Sequence, residues 1–422
     1  MNRILSFLLI LFFISVPLQS QSDLKTAQEL DNEEVFTSID DVLFKSRIII
    51  LNLDNQGIEK LPDKIERCKN LQVLYARNNN IRELPEGLFQ LTNLQVVLLG
   101  ENDISYISPD IKNLVNLKEL DLFDNRLDTL PPEIGALTAL EKLDLNWNRI
   151  EYLPEEMGNL TELKELFLEQ NGLKSLPSTL GNCDKLRDLR IYNNNLSTLP
   201  ESIGNLQNLP ELNGSKNQLT ALPEEIGQLK QLKKLDLSNN SIESLPESLS
   251  NLMNLEELYC QSNNLTRITG NTINLPELRM LYLGLNDIRT FNAATEKLKK
   301  LEKLDLGVNH LPSIPKNLYN LSGLTYLNLS RNRIERVPGE ISQLKNLEEL
   351  NLSYNKIISY SKNAIFPDLK QLKLEHNEIL YLHPNVKAMN NNLESLYIEN
   401  NKLNDFQKDQ IRKFLPDTKI YF

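Results

Sequence analysis

The sequence has few of the residues from which catalytic and metal sites are usually built. Its 422 residues include three cysteines, three histidines and one tryptophan. It contains no glycine-rich phosphate loop, no HExxH zinc motif and no CxxC pair. Basic residues are also in deficit, because 46 Lys and Arg stand against 57 Asp and Glu, a formal net charge of −11. This balance argues against nucleic acid and anionic lipid as partners, since both require clustered positive charge.

Long apolar runs are absent after the first residues of the chain. Arg3 gives a positive start, residues 4–16 are almost wholly apolar, and Pro17 ends the run before a small polar stretch. The run is short for a membrane span and has the flanks of a secretory signal. We therefore expect residues 1–22 to be a signal peptide. The predicted location is secreted or cell-surface, with the periplasm left open, and no membrane span is expected.

One pattern, L-x-x-L-x-L-x-x-N-x-[IL], fills most of the remaining sequence. It occurs sixteen times, with thirteen consecutive spacings of 23 residues followed by one of 22 and one of 24. The copies begin at Ile48, Leu71, Leu94, Leu117, Leu140, Leu163, Leu186, Leu209, Leu232, Leu255, Leu278, Leu301, Leu324, Leu347, Leu369 and Leu393. A fixed period of this length indicates a stack of small units, each of which covers the apolar face of its neighbour.

The first half of each unit predicts a short strand. Its second and third leucines alternate with a polar residue, as in a strand with one buried face. Asn occupies the ninth position in fifteen of the sixteen copies, and the first copy has Gln56. An amide can donate and accept, so stacked copies can satisfy backbone groups at the turn. We interpret this column as structural.

The second half reads L-P-x-x-[IL]-G-x-L, as in residues 153–160 and 222–229. Proline suits the start of a short helix or an extended turn, and glycine suits a reversal. This half should form the convex side. The L-P pair is lost at five places, which indicates either a local change of curvature or neutral variation: Ile107-Ser108, Ile268-Thr269, Phe291-Asn292, Tyr360-Ser361 and Leu382-His383.

These repeats resemble the leucine-rich repeat family. The 23-residue L-P-x-x-I-G-x-L unit is most similar to exported bacterial members, including those of pathogenic spirochaetes, and residues 411–422 look like their closing segment. The resemblance implies an α/β fold: a horseshoe solenoid with a parallel concave sheet of about 16 strands and short helices or turns on the convex side. It also implies protein–protein interaction, often with host surface or matrix proteins.

The two ends of the solenoid should be capped, because an open stack exposes its core. Residues 23–47 are predicted to be an N-terminal helical cap, formed by one helix or two short ones over residues 24–46, since Val35, Ile39, Val42 and Leu43 follow helical spacing before a strand from Ile48 to Leu53. Residues 48–404 hold the sixteen repeats. Residues 405–422 are predicted to be a C-terminal cap, with a helix carrying Phe406, Ile411 and Phe414 and a final edge strand.

The cysteines do not fit a disulfide framework. Cys68 and Cys183 occupy the same repeat position five units apart, roughly 24 Å at about 4.8 Å per strand, which is beyond disulfide reach. Cys260 replaces the third leucine of its copy. All three are predicted to be small core residues.

The concave face is the predicted binding surface. The second, third, fifth, seventh and eighth positions should face solvent along an arc of about 70 Å. One group of side chains there combines aromatic rings with an arginine, the composition typical of an interaction hot spot: Phe123, Trp147, Phe167, Arg190 and Tyr192. A second group, Tyr259 and Tyr282, fits either binding or cross-strand packing.

Catalytic and metal sites are not expected. His376 with His383, or Asp121 with Asp144 and Asp124, could be imagined as zinc or calcium ligands, but such small exposed sets do not define a site. A ridged solenoid face also offers few deep pockets for a catalytic histidine. The prediction is a monomeric, non-enzymatic scaffold without cofactors that binds a protein. It is either an adhesin-like host-interaction protein or an envelope structural or assembly protein with an endogenous partner.

Overall fold

The computed structural model describes residues 24–40 and 45–422. The predicted signal peptide, residues 1–22, and the capping residues Val42 and Leu43 lie outside the described residues. The strands are β1 (Val35–Phe36), β2 (Ile50–Asn52), β3 (Val73–Tyr75), β4 (Val96–Leu98), β5 (Glu119–Asp121), β6 (Lys142–Asp144), β7 (Glu165–Phe167), β8 (Asp188–Arg190), β9 (Glu211–Asn213), β10 (Lys234–Asp236), β11 (Glu257–Tyr259), β12 (Arg267–Gly270), β13 (Met280–Tyr282), β14 (Thr290–Ala293), β15 (Lys303–Asp305), β16 (Tyr326–Asn328), β17 (Arg336–Val337), β18 (Glu349–Asn351), β19 (Ser359–Tyr360), β20 (Gln371–Lys373), β21 (Ser395–Tyr397) and β22 (Lys419–Tyr421).

Helical structure is short almost everywhere. The α-helices are α1 (Ala27–Leu30) and α2 (Asp405–Phe414). Neither these nor any other helix in the described ranges has the length and apolar character of a membrane span. The 3-10 helices span Lys45–Arg47, Ile65–Arg67, Glu86–Gln90, Pro109–Asn113, Pro132–Ala136, Glu155–Asn159, Leu180–Asn182, Glu201–Asn205, Glu224–Gln228, Glu247–Asn251, Thr295–Lys297, Lys316–Asn320, Gly339–Gln343 and Pro384–Met389.

Eighteen strands form one parallel sheet in which each repeat contributes one strand, in chain order. Equivalent positions pair, so that Leu143 lies between Leu120 and Leu166. The predicted solenoid with about 16 strands is confirmed. The two additional strands are β1 and β22, which lie at the two ends of the sheet and belong to the capping segments.

A single continuous core lies behind the sheet. The repeat leucines are almost completely buried, because each unit is covered on both sides by the next. Cys68, Cys183 and Cys260 are free thiols within this core, as predicted. Burial raises the pKa of the Cys183 thiol to about 11, so this side chain stays protonated and apolar.

The convex side consists of 3-10 helices that pack closely against one another. A typical one, Glu155–Asn159, begins after Pro154, whose extended backbone turns the chain into the helix. Glycine is needed there for close approach and not for a left-handed reversal, because a Cβ on Gly135, Gly158 or Gly204 would lie 2.5 Å from a carbonyl oxygen of the next repeat. The sequence-based explanation of these glycines was therefore wrong.

The five places that lack the L-P pair adopt alternative local structures. Ile268 and Phe291 pair in the parallel strands β12 and β14, and Val337 pairs with Tyr360 in β17 and β19. At the other two places, proline is shifted by one residue and the preceding side chain caps the 3-10 helix. These capping residues are Ser108, which accepts from the Asp110 N–H, and His383, which accepts from the Asn385 N–H.

The caps agree only in part with the sequence-based prediction. At the N-terminal end, a single helix turn, α1, is followed by strand β1, so one continuous helix does not form there. The 3-10 helix Lys45–Arg47 is a second short helical segment before the first repeat, and residues 41–44 lie outside the described residues. At the C-terminal end, α2 and β22 form where a helix and an edge strand were predicted. Ile411 of α2 is buried, but Phe406 is 68% exposed and does not contribute to the core.

A ladder of asparagine hydrogen bonds connects consecutive repeats. Asn148 donates to the Leu122 carbonyl of the preceding repeat at 2.9 Å and accepts from its Leu127 N–H at 2.9 Å. All fifteen ninth-position asparagines make this pair of bonds, from Asn79 to Asn401. Gln56 instead uses its longer side chain to reach the Thr37 carbonyl of the N-terminal segment. The structural interpretation of this column is confirmed.

A second, partial asparagine ladder was not anticipated from the sequence. Seven asparagines immediately before the first leucine of a repeat donate to a carbonyl 24 or 25 residues earlier, in the preceding repeat or, for Asn70, in the N-terminal segment: Asn70, Asn93, Asn116, Asn208, Asn254, Asn346 and Asn392. The turn before each of these strands is therefore also fixed to its neighbour.

The ladder should dominate local stability. We predict that Asn286→Ala lowers the free energy of unfolding by about 1–3 kcal/mol, because it leaves the buried Leu265 N–H unpaired and removes one of the two amide donors to the Cys260 carbonyl, the other being Asn263. Asn264→Ala, which removes only a 3.4 Å bond from an exposed amide, should cost less than about 0.5 kcal/mol. Urea unfolding and hydrogen exchange of the Leu265 amide measure the effect, and equal losses in both variants would contradict it.

A second turn device lies at the fifth position of the repeat. An Asp or Asn side chain there accepts from the N–H two residues later in eight repeats, at Asn52, Asp121, Asp144, Asn213, Asp236, Asp305, Asn328 and Asn351. Burial raises the pKa of Asp144 to about 6, and the neighbouring Asp121 adds to the shift. The folded state therefore carries an unfavourable charge at Asp144 above this pH.

We predict that Asp144→Asn stabilises the protein by about 1–3 kcal/mol at pH 8. Asn keeps the acceptor that the turn needs and removes the buried charge. Between the unfolded pKa near 3.9 and the folded value near 6, the folded wild type holds a proton that the unfolded chain has lost. The advantage of the variant should therefore shrink as the pH falls from 7 to 4. Urea unfolding at both ends of this range tests it, and a pH-independent difference would refute the charge explanation.

Candidate functional site

The eighth residue of every repeat has a left-handed backbone conformation. These residues are Asn55, Asn78, Glu101, Asp124, Trp147, Gln170, Asn193, Lys216, Asn239, Ser262, Leu285, Val308, Arg331, Tyr354, His376 and Asn400. Asn tolerates this conformation, whereas bulky and β-branched residues adopt it at a cost of about 1–3 kcal/mol. The large apolar side chains in this row therefore stand where local conformational preference disfavours them.

Trp147 and Phe123 form the most exposed aromatic pair of the predicted binding group. Their ring centroids are 6.4 Å apart with an interplanar angle of 59°. Trp147 is 52% exposed and has a φ of 58°, while Phe123 is half-buried beside it. Repeats five and four thus bring these two rings together on the surface, as the sequence suggested.

Phe167 does not face solvent as predicted. Its side chain is only 7% exposed, because the guanidinium carbon of Arg190 lies 4.3 Å from its ring centroid and Lys142 lies 5.9 Å from it. Arg190 is held in this place by a two-pronged ion pair with Asp188, at 3.0 and 3.1 Å. Phe167 and Arg190 therefore form a closed unit whose polar outer surface is the guanidinium group.

Tyr192 is likewise occupied by a neighbour. Lys216 of the next repeat lies 5.1 Å from the ring centroid and donates to the Tyr192 hydroxyl at 2.7 Å. The predicted group therefore divides into an open pair, Phe123 and Trp147, and two aromatic rings that are each covered by a cation.

Tyr259 and Tyr282 stack on adjacent strands. Their ring centroids are 5.2 Å apart and nearly parallel, and the Tyr259 hydroxyl donates to Glu257 at 2.8 Å. Burial and the Glu257 carboxylate raise the pKa of Tyr259 above its ordinary value. These contacts account for both rings within the sheet, so cross-strand packing explains them without a ligand.

An open groove of about 540 Å³ lies beside Trp147. Eighth-position residues form one of its walls, and among them are Glu101, Asp124 and Trp147. Two arginines also line it: Arg126 forms an ion pair with Asp103, while no ion pair involves Arg149 among the described residues. The groove therefore joins an exposed aromatic ring to carboxylates on one side and to a cation on the other.

A second row of large side chains was not recognised from the sequence as sharing one left-handed position. In repeats eleven to fifteen the left-handed position holds Leu285, Val308, Arg331, Tyr354 and His376. The Arg331 guanidinium lies 4.2 Å from the Tyr354 ring centroid, and the His376 ring stacks on the other side at 4.1 Å. The available signal was the eighth position itself, which holds Asn in five other copies.

The imagined metal ligands make other contacts. His376 stacks on Tyr354 and lies 3.2 Å from the Asn400 amide, whereas His383 caps a 3-10 helix. Asp121 pairs with Arg77 at 3.2 Å, and Asp144 accepts a backbone bond. Within residues 24–40 and 45–422, no group of three or more His, Cys, Asp or Glu side chains is arranged to hold a metal ion.

Comparison with known families and structures agrees with this architecture. Residues 37–149, 102–215 and 215–313 match the family described as a leucine-rich repeat region, and residues 314–357 match a second leucine rich repeat family. None of the curated proteins compared with the chain matches it. Leucine-rich repeat proteins are commonly protein-binding scaffolds, and the matches indicate no enzyme family.

Three solved structures illustrate the similarity. A leucine-rich repeat protein of Leptospira interrogans is 35% identical, with a TM-score of 0.75 over 92% of this chain and 100% of that one. An internalin of Listeria monocytogenes is 28% identical, with a TM-score of 0.58 over 71% and 84%. The plant peptide hormone receptor RGFR1, solved in complex with RGF2, is 27% identical, with a TM-score of 0.64 over 86% and 65%. The chain belongs to the leucine-rich repeat family.

Proposed function

We propose that this chain is an exported, non-enzymatic scaffold that binds a protein through its concave face, at a surface centred on Phe123 and Trp147. The main observation in support is the exposure of Trp147, the only tryptophan. Its side chain is 52% exposed, and its backbone has a left-handed conformation that is unfavourable for a bulky residue. An exposed tryptophan lowers the solubility of the protein, and its left-handed backbone raises the free energy of the folded state. A role of this side chain in binding would account for its presence despite both effects. Tryptophan is also among the residues most enriched in interface hot spots.

The surroundings of Trp147 support the same proposal. Phe123 supports its ring at 6.4 Å, and the adjoining groove offers polar side chains that can fix the orientation of a partner. Arg190, although it covers Phe167, presents donors at the rim of this surface. Tyr192, in the same repeat as Arg190, adds a further aromatic ring to this surface. The second group, Tyr259 and Tyr282, remains a weaker candidate because the two rings are already stacked on each other.

The location proposed for the chain is secreted or exposed on the cell surface, with a host surface or matrix protein as partner and the chain itself a monomer. Two things support it: the apolar start of the sequence and the similarity to bacterial proteins that include an internalin. An envelope protein with an endogenous partner is the competing proposal, and cell fractionation distinguishes the two.

We predict that Trp147→Asn separates binding from folding. Because Asn occupies the same left-handed position in five repeats, the substitution should raise the free energy of unfolding by about 0.5–1 kcal/mol. It should also reduce capture of the main partner at least tenfold when immobilised protein is incubated with host matrix extracts or with bacterial envelope extracts. Leu285→Asn is the matched control, since Leu285 is 54% exposed in the same conformation.

The Leu285→Asn variant should gain similar stability and retain capture. If Trp147→Asn retained full capture from both extracts, the surface around Phe123 and Trp147 would no longer be the binding site. Capture from only one kind of extract identifies whether the partner is a host or an endogenous protein.

A separate prediction concerns location. Protease added to intact cells should degrade the protein, and deletion of residues 1–22 should leave it protected inside the cell. Complete protection of the full-length protein in intact cells, with its release by outer-membrane permeabilisation, would favour the envelope protein over the adhesin-like one.

A further inference from the structure

We propose that the groove beside Trp147 binds a cationic side chain of the partner, an arginine or lysine, which stacks on the indole ring and pairs with the carboxylates of Asp124 and Glu101. This inference rests on the proposed function and specifies the chemistry of the partner at that surface. It commits to a basic protein segment as the occupant.

The first argument is the position of the three side chains. Glu101, Asp124 and Trp147 occupy the same left-handed position in three consecutive repeats. Their backbones are joined directly, since the Asn102 N–H donates to the Asp124 carbonyl and the Asn125 N–H donates to the Trp147 carbonyl. Adjacent strands of a sheet are about 4.8 Å apart, so the backbones of Asp124 and Glu101 lie about 5 and about 10 Å from that of Trp147 along the ridge. All three side chains line the same groove, so one basic side chain that enters it meets the indole and a carboxylate.

The second argument is charge. Glu101 and Asp124 are exposed and form no ion pair within the described residues, whereas nearby Asp103 and Asp121 are already paired with Arg126 and Arg77. The whole chain carries a formal charge of −11, so a basic segment is attracted and an acidic one repelled. Arg149, which lines the other side of the groove, directs a cation toward the carboxylate end.

The third argument is a comparison with other aromatic rings of the repeats. Phe167, Tyr192 and Tyr354 each have a cation of this chain over the ring, from Arg190, Lys216 and Arg331, whereas the exposed Tyr106 and Tyr381, outside the concave sheet, have none within the described residues. Trp147 has no such cation within residues 24–40 and 45–422, although indole is the aromatic ring that binds cations most strongly. Carboxylates flank it instead, which is the arrangement that receives a cation from outside.

The experiment uses Trp147 as its own reporter, because it is the only tryptophan of the chain. The full-length exported protein is titrated, at low salt, with the peptide acetyl-Gly-Arg-Gly-Arg-Gly-amide while tryptophan fluorescence is recorded. The matched peptide replaces arginine with citrulline, which has nearly the same shape and no charge. We expect a saturable change with the arginine peptide and at least about fivefold weaker binding of the citrulline peptide.

Charge variants locate the site. Glu101→Gln with Asp124→Asn should weaken binding of the arginine peptide about fivefold or more, and Arg149→Gln should strengthen it. Both amides already occur in this position, at Gln170 and Asn193, so the fold should be kept, which circular dichroism verifies. The control, Glu243→Gln with Glu335→Gln, makes the same change in net charge at exposed sites remote from the groove and should have no comparable effect.

Two outcomes would overturn the proposal: equal binding of the citrulline peptide, or equal weakening by the two pairs of charge variants. A titration without any saturable signal would also overturn it. None of these results affects the broader function, which is tested separately by the loss of partner capture in Trp147→Asn. If that variant loses capture while the arginine peptide does not bind, the surface is correct and its proposed cationic ligand is wrong.

Discussion

The amide-to-backbone hydrogen bonds of the ninth-position asparagines are the constraint on which the rest of the structure depends. Each repeat has a strand of only three residues in the large sheet, and most repeats also have a 3-10 helix of three to six residues; neither element is stable alone. Asn148 shows why the stack still forms, since one side chain satisfies a carbonyl and an N–H of the preceding repeat while bonding its own turn. The buried leucines supply most of the stabilisation, but they are not directional. The amides set the distance and register at which those leucines meet.

The same ladder determines what the surface can present. To place the ninth residue inward, the chain turns sharply at the eighth, and all sixteen copies adopt a positive φ there. Whatever side chain stands at this position is therefore held outward on a rigid ridge, one repeat from the next. The conformation of Trp147 is thus imposed by Asn148 and its neighbours. Its conformational free energy is offset by the stability of the whole stack, to which every repeat contributes. A solenoid can display a strained aromatic residue where a small domain would be destabilised by it.

Much of the fold could be predicted from the sequence because residues one period apart contact each other in neighbouring repeats. Leucines at fixed spacing become the core, and Cys68 could be assigned there by its place in the repeat. The convex side was harder, since Ile268 and Phe291 pair as strands through contacts between units. The site was predictable only in part. Alternation places Phe167 on the concave face, but it does not reveal that Arg190 from the next repeat covers it. The left-handed conformation of the eighth position was also not predicted. Asn at that position indicates such a conformation, but Trp and Val, which occupy it in other repeats, do not.

The covering of one repeat by the next also explains how a uniform scaffold can acquire a specific ligand. Side chains at equivalent positions lie about one strand spacing apart, so each aromatic ring meets only the residues of its two neighbouring repeats. When a neighbour supplies a cation, as Lys216 does for Tyr192, the ring makes a cation–π contact within the chain, and this contact stabilises the fold. When the neighbour supplies a carboxylate, as Asp124 does for Trp147, the face of the ring and the negative charge do not attract each other. Both groups then remain free to interact with a cation from another molecule. If the proposal for Trp147 is correct, a single substitution at the eighth position is enough to convert a structural pair into a binding element, without any change in the asparagine ladder beneath it.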